Sequence, residues 1–149
     1  MQSGCDKQLI CMIGEYSVAA ELSRRGYLAT TLAKNAPDLD VIATDANLFT
    51  IPIQVKATTC EIFHINPNRI SNDTNIPWVF VSLDSSRQVR NFYVCKENDV
   101  KAILMSKYSW YSNYFNLKKK RHLDCVIEIK DIEKYLNNWG DIKAYAQKG

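Results

Sequence analysis

Residues 40–56 read DVIATDANLFTIPIQVK. Leu39–Thr44 is an apolar run opened by Asp40, and its composition predicts a strand. Thr44-Asp45-Ala46-Asn47 follows, rich in residues whose side chains bond their own backbone, and predicts a turn. Leu48–Ala57 alternates. Phe49, Ile51, Ile53 and Val55 point one way, and Thr50, Pro52, Gln54 and Lys56 the other. Pro52 lacks an N–H, so its end of the strand is expected at an edge or a bulge. Asp40 shares a face with Ile42. With the turn centred near Asp45–Ala46, an unbulged hairpin sets Asp40 roughly against Ile51. Opposition to Gln54 then requires splaying or a bulge, which Pro52 could supply.

Upstream, Gln8–Arg25 has helical apolar spacing and ends before Gly26. Glu15, Val18, Ala19 and Leu22 follow i, i+3, i+4, i+7, so Glu15 falls on the apolar face or its margin. A carboxylate there needs a partner such as a metal or the Lys56 ammonium, unless it edges the stripe and reaches water. Tyr27–Leu32 is a short β-rich run and 34–37 a loop. Downstream, 63–75 is polar, with four asparagines, and reads as a surface loop. Trp78–Leu83 is a buried strand, Asp84–Gln88 a turn, and Val89–Cys95 a strand that closes a hairpin. Glu97–Lys107 is a helix. Val126–Ile129 reads as a short strand, Asp131–Leu136 as a short helix, and the tail after Trp139 as frayed. The order predicts one α/β domain over 1–149, with a mixed sheet flanked by helices.

Asp40, Gln54, Lys56 and Glu15 together suit phosphodiester chemistry. Hard cations such as Mg²⁺ or Mn²⁺ take oxygen ligands. Asp40 offers a carboxylate, Gln54 an amide oxygen and Val55 its backbone carbonyl, while Glu15 could ligate through a water. Such a cation lowers the pKa of bound water and polarises a phosphate. Lys56 could orient the attacking water or stabilise the transition-state charge.

This arrangement resembles the PD-(D/E)xK phosphodiesterase superfamily, whose pattern is a helix bearing Glu, a strand opening with Asp, and a strand ending in (D/E)xK. The matching residues are Glu15 in GEYSVAAELSRRGY, Asp40 in PDLDVIA, and Gln54 and Lys56 in IQVKAT. Gln54 lies 14 positions after Asp40, a gap similar to that of compact Holliday-junction resolvases. Pro37-Asp38 spells the literal PD, but Asp40 is preferred because it directly opens the apolar strand. More narrowly, the chain resembles small stand-alone bacterial members that pair GExxVAxELxxxGY with IQVK. These also carry a strand–helix unit like NFYVCKENDVKAIL and a Trp-containing segment like NNWGDI. The resemblance implies a restriction-endonuclease-like core and a Mg²⁺- or Mn²⁺-dependent endonuclease. Catalytic roles fall to Glu15, Asp40, Gln54 and Lys56. Gln54 stands where the family has an acid, which removes one negative charge. A catalytically weak or inactive module that binds nucleic acid or a partner protein is the alternative, as is a toxin or defence component.

The chain has 149 residues, 46% hydrophobic and 23% charged, as expected of one globular domain. Net charge is +3, compatible with nucleic acid. Lys118, Lys119, Lys120, Arg121 and His122 form a basic run, read either as a solvated loop or as contacts to a phosphate backbone. DNA is the expected partner, with RNA the other possibility, and a homodimer could reach both strands. Trp110, Tyr111, Tyr114 and Phe115 suit core packing better than base stacking. The five cysteines form no CxxC pair. With two distant histidines they argue against zinc. No signal-like leader and no apolar run of about 20 residues is present, so a cytoplasmic location off the membrane is expected.

Overall fold

A computed structural model describes residues 3–32, 39–70, 75–114, 124–140 and 142–146, without the side chains of Tyr114 and Ala146. It is a mixed α/β structure: a five-stranded sheet of parallel and antiparallel strands with helices against it.

Helix α1 spans Gly4–Arg24, and the Ser3 side chain at its N-cap accepts a hydrogen bond from the Asp6 amide. Its buried stripe is Ile10, Gly14, Val18 and Leu22. Gly26, at φ +94°, turns the chain out of the helix. Strands β1 (Leu28–Thr31), β2 (Val41–Thr44) and β3 (Thr50–Thr58) follow as an antiparallel meander. Strand β4 (Ile62–Ile65) leaves this sheet, β5 (Pro77–Leu83) pairs parallel with β3, and β6 (Val89–Lys96) closes a hairpin with β5. The order is β1-β2-β3-β5-β6.

The expected loop at 63–75 contains a strand that sequence reading missed. Phe63 and Ile65 are buried while Ile62 and His64 are exposed, a period-two signal only four residues long beside a run of asparagines. β4 pairs antiparallel with β7 (Cys125–Glu128). Helix α2 occupies the expected Glu97–Lys107. Short helices α3 (Tyr111–Tyr114), α4 (Ile129–Ile132) and α5 (Ile142–Ala146) complete the fold. The tail after Trp139 is not frayed over its described part, because Trp139 and Ile142 are buried in the core beside α1.

The alternation of β3 and β5 sends side chains into two cores. Val41, Ala43, Ile51, Ile53, Val55, Val79 and Val81 pack under α1. Trp78, Phe80, Tyr93 and Cys95 face the other way, against β4, β7 and α2. Tyr111 is buried in this second core and Trp110 packs against it, so these two aromatics serve packing there, while the Tyr114 side chain and Phe115 lie outside what the structure describes. All five cysteines are free thiols. No helix among the described residues is long and apolar enough to cross a membrane.

Candidate active site

The site is built where β2 stops and β3 continues. The ladder pairs Thr44 with Thr50 and Val41 with Ile53, and the Asp40 N–H donates to the Ile53 carbonyl. The same register sets Asp40 opposite Gln54. The expected offset towards Ile51 is thus corrected, and no bulge is involved. The reason is the length of the connection. The turn is a five-residue loop, Asp45–Phe49, because the Asp45 carboxylate accepts from the amides of both Asn47 and Phe49 and holds Leu48 at φ +64°. Pro52 lies within the unbulged β2–β3 ladder, against Ile42. Its missing N–H faces the side of β5, whose pairing with β3 begins only at Gln54, so the position is a local edge.

Asp40 folds its carboxylate onto β3. Its Oδ2 accepts from Gln54 Nε2 at 2.6 Å and from the Val55 backbone N–H at 2.8 Å. A carboxylate only accepts, so the nitrogen end of the Gln54 amide must face it. Gln54 is buried, at 4% exposure. In an extended strand the N–H and C=O of one residue leave the same edge. The Val55 carbonyl therefore shares the edge on which Asp40 sits, beyond Val41, the first residue of β2.

Lys56 follows on the same face as Gln54 and is half-buried. Glu15 is brought near β3 from the opposite face. It adjoins Gly14, whose lack of a side chain lets α1 close on the strand: a Cβ there would fall 2.6 Å from Ala57 Cβ and 3.6 Å from Val55 Cγ1. Glu15 is half-buried at the margin of the apolar stripe. Direct contact is thus present between Asp40, Gln54 and Val55. Lys56 and Glu15 are positioned beside them from the two faces of the sheet.

No protein-family model and no curated protein matches this chain. Among the described residues, no three His, Cys, Asp or Glu side chains are grouped to hold a metal ion. The oxygens at the β3 edge come instead from one carboxylate, one amide and one backbone carbonyl. This all-oxygen set suits a hard cation. It fits with one adjustment: Gln54 must turn its amide so that oxygen rather than nitrogen meets the ion. Lys118, Lys119, Lys120, Arg121 and Asp38 lie outside the described residues.

Two residues that sequence patterning did not mark adjoin the site. Trp78 is the β5 ladder partner of Gln54, and its indole N–H donates to buried Glu97 at 3.0 Å. A signal existed: a tryptophan inside a fully buried strand needs an acceptor for its N–H, and Glu97 opens the next helix.

Proposed function

We propose that the chain is a metal-dependent phosphodiesterase of the PD-(D/E)xK type that hydrolyses DNA. The carrying observation is the contact of Asp40 with Gln54 and Val55 at the open edge of β3, with Lys56 next on the same face. Asp40, the turned Gln54 amide and the Val55 carbonyl would hold Mg²⁺ or Mn²⁺. When bound, the cation lowers the pKa of a water and neutralises charge on the phosphate. Lys56 holds its ammonium beside the scissile phosphate, stabilising the charge that builds as the water oxygen bonds to phosphorus and the ester P–O bond breaks. Glu15 orients water from the α1 side. The basic run Lys118–Arg121 supplies contacts to the DNA backbone in this reading.

Purified protein should nick supercoiled or branched DNA with Mg²⁺ or Mn²⁺ and not in EDTA. Lys56→Ala should lower the rate by about 100-fold or more with the folded far-UV spectrum intact. Wild-type protein inert on linear, supercoiled and branched DNA and on RNA rules the reading out.

A second reading is favoured by the same carboxylate. Asp40 Oδ2 already accepts two hydrogen bonds from the protein, so the site is coherent without an ion. The chain would then be a non-catalytic nucleic-acid-binding module. Calorimetry separates the two: nucleic acid bound equally by wild type and Asp40→Asn, with no divalent-ion binding by either, selects the module.

A further inference from the structure

The residues of the candidate site continue across the sheet as one row. Asp40 stands opposite Gln54, Gln54 pairs with Trp78, and Trp78 pairs with Cys95. Ladder partners project from the same face, so the Trp78 ring stands beside the Gln54 side chain, on the side away from Asp40. Trp78 is 1% exposed and Glu97 1%. The Glu97 carboxylate accepts from the indole N–H, with the Lys101 ammonium 3.8 Å away. A carboxylate buried this deeply is costly and persists where its bonds are needed.

We propose that Trp78 and Glu97 are positioning residues of the candidate site: Glu97 pins the indole, and the pinned indole walls Gln54 against Asp40. The inference rests on reading Asp40–Gln54 as the functional pair. The Gln54 side chain has two neighbours along the row. One is the Asp40 carboxylate, which attracts its amide nitrogen. The other is an indole whose only polar atom is already committed to Glu97. The wall therefore offers Gln54 no competing acceptor or donor, and it keeps water from that side, which strengthens the bond to Asp40. Phe80, in ring contact with Trp78 at 6.0 Å, stands in the same relation to Lys56. The aromatic floor thus lies beside both polar residues of the QxK motif.

The test compares full-length wild type, Glu97→Leu, Glu97→Gln and Trp78→Phe by nuclear magnetic resonance. The readout is hydrogen exchange of the Gln54 side-chain amide. Mg²⁺ titration and DNA cleavage are measured on the same samples. Glu97→Leu should speed Gln54 side-chain exchange about tenfold or more, with backbone exchange at Val94, on the α1 side of the sheet, unchanged. Glu97→Gln retains an oxygen acceptor for the indole and should restore wild-type exchange. Unchanged Gln54 exchange in Glu97→Leu, or an equal rise at Val94, overturns the proposal. If Glu97→Leu does not fold, Trp78→Phe decides: it keeps a ring but loses the pin, so Gln54 exchange at the wild-type rate overturns the proposal. A wild type that neither binds Mg²⁺ nor cleaves DNA removes the functional reading, and the exchange comparison still decides the positioning.

Discussion

Gln54 differs from a glutamate by one charge and by the ability to donate, and at this position both differences matter. Its nitrogen lies 2.6 Å from Asp40 Oδ2. Gln54→Glu would bring two carboxylates together, and one must then take a proton or move away. Without divalent ions, the variant should be less stable than wild type by about 2 kcal/mol at pH 7. Mg²⁺ should restore more of its melting temperature than it adds to wild type, because the new pair binds a cation with an extra charge. Thermal melts in EDTA and in Mg²⁺ check this, and identical melts in EDTA would show that the pair is not in contact. The sequence made Asp40, Gln54 and Lys56 legible, because period-two alternation assigns faces without three-dimensional information. It did not reveal that Gln54 donates to Asp40, since that depends on which end of an amide meets a carboxylate.

Elements set the register on which those side chains depend. The apolar run predicts β2 and the alternation predicts β3, and both are strands, yet the residue opposite Asp40 differs from the expected one, because register is a property of the turn. Asp45 makes that turn. Its pKa is held below the usual carboxylate range by the Phe49 backbone N–H and then by the Lys143 ammonium of α5, among other bonds. A depressed folded pKa stabilises above the unfolded value and stops doing so as pH falls through the folded one. Asp45→Ala should therefore melt below wild type at pH 7. The difference should narrow below the ordinary aspartate value of about 3.9 and close in stronger acid. Melting curves across that range are the measurement, and a gap independent of pH would assign the loss to something other than this carboxylate. β4 escaped sequence reading for a related reason: its partner β7 lies about 60 residues away, and four residues of alternation carry little signal alone.

Across the molecule, two cores lie on the two faces of one sheet, and both buried thiols fall in the second. Cys5, Cys11 and Cys60 are exposed, while Cys95 and Cys125 are buried. Burial pushes the Cys95 thiol far up and that of Cys125 to about 11. A thiol reagent at neutral pH should add three labels to the native chain and five after denaturation, read by mass spectrometry. Early labelling of Cys95 would contradict the packing of the second core. The α/β class with a mixed sheet was legible from the order of elements. The division into two cores was not, because it depends on β4 and β7 meeting. One consequence concerns time. Asp40 reaches Gln54 within a local hairpin, but β5 pairs with β3 in parallel, after the chain has crossed from 59 to 76. Closing that longer loop is slower than closing the hairpin. As the chain leaves the ribosome, Asp40 and Gln54 should therefore meet first in water, and Trp78, followed by the Glu97 that holds its indole, should reach the pair only later.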